Sequence, residues 1–168
     1  ILVVEGWLPD YALKQAIDEF NSKGYKLLIT TGGPLLKGYP LSEYKTEAEL
    51  AESIIKIIGF TKEKIIAVPA HYTIKDRTYT SACALKKWVE DSNQNIKTIN
   101  LFSLGTHSRR SWILFKKALG DSIKVGIISA DDFSYDPEHW WKSSDGVRTV
   151  LSEMIAYIYA RFFFHPKE

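Results

Sequence analysis

The chain of 168 residues is 45% hydrophobic and 25% charged, the balance of one ordinary globular domain that buries enough apolar surface to need no staple. Its single cysteine, Cys83, excludes an internal disulfide and a cysteine-built metal site. The net charge of +2 argues neither for nor against nucleic acid; any basic patch would have to be local, and no nucleic-acid partner is expected.

Strand-like and helix-like patterns alternate from end to end. ILVVE (1–5) is a short apolar run, followed by Ala12, Leu13, Ala16, Ile17 and Phe20 at helical spacing over 10–23, closed by Gly24. LLIT (27–30) is the second strand. The helix over 46–58 carries Leu50, Ala51, Ile54, Ile55 and Ile58 on one face, has capping-box spacing in Thr46 and Glu49, and stops at Gly59. KIIAV (64–68) and the helix Thr78 to Val89 follow, with Cys83 as a plain core residue. TINLFSL (98–104), the helix Ser108 to Leu119, KVGIIS (124–129) and a last helix from Val147 to Phe164 complete the order.

The strands are continuous apolar runs, as expected of strands covered on both faces. Five such units imply an α/β fold: a three-layer, doubly wound, mainly parallel five-stranded sheet of Rossmann-like type, in one domain over 1–168. No run reaches the ~18 apolar residues of a membrane span; MIAYIYARFFF (154–164) is shorter and is broken by Arg161. Of its rings, Tyr157, Tyr159, Phe162, Phe163 and Phe164, half are expected to cover the sheet, with a partner- or membrane-facing surface as the alternative. The chain begins at Ile1 inside a strand-like run without an initiator Met, so an upstream segment is expected, with a signal or membrane anchor as one alternative for it.

In such a sheet ligands bind outside the carboxyl ends of the strands. Those ends read Glu5-Gly6-Trp7, Thr30-Thr31-Gly32-Gly33, Pro69-Ala70-His71 with Lys75-Asp76-Arg77-Thr78 after it, Gly105-Thr106-His107-Ser108-Arg109-Arg110, and Ser129-Ala130-Asp131-Asp132. The opposite connections, SKGYK, GFTKEK and GDSIK, are generic turns, so titratable and small residues gather on one rim.

GTHSRR is the sharpest of these stretches. Cations in a first helical turn oppose the helix dipole by a few tenths to ~1 kcal/mol each. A chain that accepts this for His107, Arg109 and Arg110 is read as holding a phosphate or carboxylate, unless the arginines face solvent or pair with surface acids. Gly32-Gly33 either lets backbone approach a ligand, takes positive φ, or forms a tight turn before Pro34. GGPLLKG lacks the Gly-Lys-Ser/Thr ending of a P-loop, and neither GxGxxG nor GxSxG occurs. Glu47 is a catalytic carboxylate or one merely favoured by the dipole. Asp131 and Asp132 are turn residues or metal ligands. Trp140-Trp141 reads as a lid or edge packing over the cleft, or less simply as a stacking platform. His71, His139 and His165 have no metal-ligand spacing.

Taken in order, VVEG, TTGG, TEAEL, DRTYTSA and GTHSRR resemble the YdcF/SanA/ElyC-like family (domain of unknown function 218) over nearly the whole chain. The family's Ser-Gly-Gly-like turn is matched by Thr31-Gly32-Gly33, its Ser/Thr-Glu-Ala triplet by Thr46-Glu47-Ala48, and its His-x-x-Arg pair by His107 and Arg110. Its Asn-Thr-x-x-Asn-Ala stretch is matched only by Thr78 and Ala82, with Arg77 and Ser81 in place of the asparagines, and Glu5-Gly6 stands where many members have Gly-Gly.

The resemblance implies a bacterial, cell-envelope-associated protein, often anchored by an N-terminal membrane segment, with this domain soluble; a cytoplasmic location is the alternative. One branch is associated with S-adenosylmethionine, but no motif here calls for that cofactor or for a divalent metal. The expected function is binding of an anionic, phosphorylated or nucleotide-like ligand, or a lipid-linked phosphate, with hydrolysis or transfer. The alternatives are a non-catalytic binding module and a structural envelope protein with a vestigial cleft. Glu47, His107 and Arg110 are the catalytic candidates: Glu47 to orient a hydroxyl or water or to act as a base, His107 as acid/base partner and Arg110 as phosphate-neutralising group. Glu5, Gly6, Thr31, Gly32, Gly33, Arg77, Thr78, Thr106 and Arg109 are the candidate binding residues.

Overall fold

Five strands, Leu2–Glu5 (β1), Leu28–Gly32 (β2), Ile65–Pro69 (β3), Thr98–Leu104 (β4) and Lys124–Ala130 (β5), form one all-parallel sheet in the order β3-β2-β1-β4-β5. The computed structural model describes residues 1–60, 65–92 and 94–166; Lys64, expected to open the third strand, and the turn residues 61–63 lie outside the described residues. Helices Asp10–Lys23 (α1), Glu47–Ile57 (α2), Arg77–Asp91 (α3), His107–Leu119 (α4) and Ser144–Ile158 (α5) complete the alternation. The expected capping box is formed: Thr46 Oγ1 accepts from Glu49 N–H at 3.2 Å, and Glu49 Oε2 accepts from Thr46 N–H at 2.9 Å.

The period of two along each strand divides the core between two layers of helices. Leu2, Val4, Leu28 and Phe102 pack with α1 and α2, while Val3, Ile29, Val68 and Leu101 pack with α3 and α4. The result is a three-layer, doubly wound Rossmann-like sheet. Cys83 packs half-buried against the α3–α4 layer. From central β1 the chain winds outward to β3, then returns to β4 on the other side, so the connections leaving β1 and β4 part to opposite faces. That switch point is where such sheets open a crevice.

The TTGG end of β2 ties both layers together. Thr30 Oγ1 donates to Ala48 O in α2 at 2.8 Å, and Thr31 Oγ1 donates to Ser81 O in α3 at 3.3 Å. Neither Gly32 nor Gly33 adopts positive φ. Gly32 does serve a close approach, but to protein rather than ligand: a Cβ there would meet Glu47 Cβ at 2.6 Å, and a Cβ on Gly6 would overlap the Glu47 carbonyl. Two glycines on adjacent strands thus let the start of α2 settle onto the sheet end.

The C-terminal region departs from expectation. The last helix is α-helical only from Ser144 to Ile158, and Tyr159–Phe163 continue as a π-helical turn. Of its five rings only Phe164 is buried, and it packs on helices rather than on the sheet. Phe164 is buried against Tyr79, Leu114 and Ala160, whereas Phe162 and Phe163 are exposed. Trp140 and Trp141 sit in a 3-10 segment, Pro137–Lys142, packed on the start of α5 rather than over the cleft. A Cβ on Gly146 would overlap the Trp140 carbonyl, which explains the glycine in α5.

Gly32→Ala and Gly6→Ala are each expected to destabilise the fold by about 1–3 kcal/mol through overpacking at α2. Gly33→Ala, whose Cβ would find its nearest neighbour at 3.9 Å, is the neutral control in urea denaturation. Phe164→Ala should lose about 3–5 kcal/mol and Phe163→Ser almost nothing, a contrast visible in thermal melts.

Candidate functional site

The crevice at the switch point is a cleft of ≈ 530 Å³. Its floor and walls come from the ends of β1 (Glu5, Trp7) and β2 (Thr31–Pro34), the first residue of α2 (Glu47), the entry to α3 (Ile74–Thr78) and the first turn of α4 (His107, Arg110). Glu153 and Tyr159 close it from the last helix. The lining is of two kinds. Carboxylates, cations and hydroxyls are supplied by Glu5, Glu47, Thr78, His107 and Arg110, while Leu114, Ala160 and Phe164, which pack together, supply an apolar part of the lining.

Glu5 is the most deeply placed charge, with 3% of its surface exposed. Ser103 Oγ, on the neighbouring β4, donates to Glu5 Oε2, and Ser111 Oγ on α4 reaches both carboxylate oxygens at 3.0 and 3.1 Å. His107 Nε2 lies 3.8 Å from Glu5 Oε1. Burial pushes this carboxyl upward, but His107 and the two serines outweigh it, so Glu5 titrates below its ordinary range and stays anionic.

His107 links Glu5 to the last helix. Its Nδ1 bonds Glu153 Oε1 at 2.9 Å, and Glu153 also accepts from Arg110 through Nε (2.8 Å) and Nη2 (3.0 Å), a bidentate pair. Arg110 Nη2 is 2.8 Å from His107 Nδ1, and Glu153 Oε1, bonded to both nitrogens, holds the two cations together. Burial opposes the imidazolium, yet Glu153 and Glu5 raise the His107 pKa to about 9. Glu153, despite burial, is held down to about 2 by His107 and Arg110. At neutral pH two carboxylates and two cations form a balanced network, with Trp7 edge-on to the His107 ring at 4.7 Å. Arg110 therefore meets a carboxylate of its own chain, where the sequence suggested an incoming anion; its Nη1 makes no hydrogen bond among the described residues.

The opposite wall is built from Glu47 and the start of α3. Glu47 is half-buried; burial raises its pKa, and nearby Arg77 partly offsets this. α3 begins after Asp76, a non-glycine residue at φ 58°, and no side chain caps it. Its first turn carries no acid, and Arg77 and Lys75 at its entry make no ion pair among the described residues. The start of α4 is likewise uncapped and without acid, whereas α2 satisfies its own N-terminus.

Glu5, Thr31, Gly32, Gly33, Glu47, Arg77, Thr78, His107 and Arg110 thus line one cleft. Gly6 is buried beneath α2 instead. Thr106 and Arg109 do not join them. The α-helical turn that aims His107 and Arg110 into the cleft sends Arg109 to the other side of α4, where it lies over Tyr157 at 5.8 Å beside a second cavity that Thr106 also lines. Asp132 Oδ1 accepts from Ser134 N–H and Oγ–H, a turn arrangement. Among the described residues no group of three His, Cys, Asp or Glu side chains is placed to hold a metal ion. The residue that sequence reasoning missed is Glu153. Its signal was there: it is the only charged residue between Arg148 and Arg161.

The raised pKa of His107 contributes stability that is complete below 6.5 and lost as pH rises through about 9. The lowered pKa of Glu153 contributes stability complete above 4.5 and lost as pH falls through about 2. The stability gap between wild type and Glu153→Gln should be widest between these limits, at about 2 kcal/mol after allowance for solvent at the rim. It should narrow on both sides in denaturation curves taken across pH. A His107 titration by NMR that is unchanged in Glu153→Gln rules the pairing out.

No protein-family model matches the chain, and neither a curated protein nor a solved structure does.

Proposed function

We propose that the cleft binds a small phosphorylated or nucleotide-like molecule, and that the protein acts on it as a hydrolase or transferase. One observation carries this reading. The uncapped N-terminus of a 15-residue helix, α3, opens on the cleft beside Arg77 and Lys75, which make no ion pair among the described residues, with the half-buried carboxyl of Glu47 nearby. Unsatisfied first-turn N–H groups and the helix dipole favour an anion there, and an arginine fork adds a bidentate donor.

On this reading the phosphate lies at the start of α3. Arg77 is its principal ligand, and Lys75, Thr78 and Arg110 Nη1 are within the same cleft. Glu47 is the proton-transfer group, since its raised pKa keeps it protonated nearer to neutrality than an ordinary glutamate. It gives a proton to a leaving oxygen or, once ionised, takes one from water or a hydroxyl. His107, bonded to Glu153 through Nδ1 and facing Glu5 at 3.8 Å through an Nε2 that makes no hydrogen bond among the described residues, is a positioning residue that fixes Arg110 and the floor. The apolar part at Leu114, Ala160 and Phe164 suits a ring or chain attached to the phosphate, as in a nucleotide or a lipid-linked phosphate.

A second reading, binding without turnover, including of S-adenosylmethionine, is favoured by the neutralisation of His107 and Arg110 within their own network. Membership of the YdcF/SanA/ElyC-like family belongs to the same proposal. It is supported by the order of the motifs and by the convergence of Thr31-Gly32-Gly33, Glu47, the Arg77-Thr78 pair and the His107–Arg110 pair on one cleft. A cell-envelope location with a preceding anchor follows from that membership alone; no described helix is long and apolar enough to cross a membrane.

Thermal shift against inorganic phosphate, nucleotides, sugar phosphates, S-adenosylmethionine and a soluble polyprenyl phosphate should yield a stabilising ligand. A ligand at ~100 times its Kd adds about 2.7 kcal/mol. Arg77→Ala should weaken that ligand by about 1.5–3 kcal/mol, the range for a charged hydrogen bond. Glu47→Gln should keep binding and abolish product in mass spectra of long incubations. Product from wild type excludes the second reading, and full turnover by Glu47→Gln removes Glu47 from the chemistry.

A further inference from the structure

The two edges of the sheet are built differently. In β3, Ala70 N–H donates to Gly32 O, so the backbone groups of Ile65, Ala67 and Pro69 point away from the sheet. Pro69 has no N–H, and this blunts that edge. In β5, Lys124 N–H donates to Lys97 O and Ala130 O accepts from Gly105 N–H, so even-numbered residues bond to β4 and odd-numbered ones face outward.

Side chains cap the two ends of this outward row. Trp112 Nε1 donates to Val125 O at 2.8 Å, and Asp131 N–H donates to Gln15 Oε1 at 3.2 Å. Between the caps, the N–H and C=O of exposed Ile127 and Ser129 have no hydrogen-bond partner among the described residues. A groove of ≈ 660 Å³ runs beside them, walled on its far side by α5.

We propose that this edge is a homodimer interface, in which β5 pairs antiparallel with β5 of a second copy about a twofold axis at Ile128. Ile127 then stands opposite the partner subunit's Ser129 and the reverse, and every free backbone group of the row finds a mate. Moving the register by one residue presents groups already bonded to β4. Moving it by two calls on the capped Val125 carbonyl or the capped Asp131 N–H. The caps therefore select one register.

The charges select the same occupant. In this register exposed Lys124, which makes no ion pair among the described residues, faces the partner subunit's Asp132 with Asp131 adjacent, and the twofold axis repeats the pairing at the other end. Beside the groove α5 exposes Leu151, Met154, Ile155 and Ile158, each 40–65% accessible, an apolar face of the kind that marks an association surface.

Sedimentation equilibrium of the wild type across a concentration series is expected to show a reversible monomer–dimer transition whose Kd rises with salt. Lys124→Glu, at an exposed site that leaves the fold intact, should raise the Kd about tenfold or more, because two attractive pairs become repulsive. The charge exchange Lys124→Asp with Asp132→Lys should restore it. Ile127→Pro, which copies the device at Pro69, should give a folded monomer by circular dichroism. A wild type that stays monomeric at every concentration overturns the proposal. So does a dimer whose Kd is unmoved by both Lys124→Glu and Ile127→Pro.

Discussion

The structure turns on a carboxylate buried at the end of its central strand. A charge withdrawn from water costs several kcal/mol unless hydrogen bonds and an opposite charge replace the solvent. Glu5 receives both. Ser103 comes from the next strand, Ser111 from the second turn of α4, and His107 from its first turn. Those partners fix how α4 sits on the sheet, because serine and histidine four residues apart share one helical face. His107 then requires a counter-charge of its own on the solvent side, and Glu153 supplies it while also holding Arg110. One buried charge thus propagates outward through α4 and anchors α5 over the cleft.

The opposite wall rests on steric rather than electrostatic constraint. Gly6 and Gly32 lie side by side on the ends of β1 and β2, and the start of α2 occupies the space their side chains would take. Thr30 and Thr31 then bind the helices on the two faces of the sheet. The cleft is the gap that remains between a sterically seated α2 and an electrostatically seated α4, with α3 entering between them. Its polar lining collects the titratable groups, and its apolar part is formed by the side chains that seat the last helix.

Much of this was legible in the residues. Continuous apolar strands and helices at 3.6-residue spacing are local signals, and they led directly to a parallel sheet with helices on both faces. Small and charged residues concentrated at one set of strand ends placed the cleft, because chain direction in a parallel sheet is common to all strands. Partnerships were not legible. Pairing of Arg110 with an acid was one alternative, but its partner could not be named because Glu153 lies 43 residues away in sequence. Arg109 and Arg110 were both candidates for the cleft, and the helical phase sent Arg110 into it and Arg109 over the Tyr157 ring. TTGG read as a place for a ligand to approach, and the close neighbour proved to be the chain itself.

The sequence by itself determined the element order, the doubly wound α/β class, the capping box of α2 and the rim on which the cleft opens. Each of these follows from hydrogen-bond geometry and side-chain periodicity within a short window. The tertiary structure alone decided which charges neutralise one another, which helix fills the space above the glycines, and which of two sheet edges stays open. Those outcomes depend on distances between residues far apart in the chain, and on desolvation, which exists only once the surrounding segments have packed.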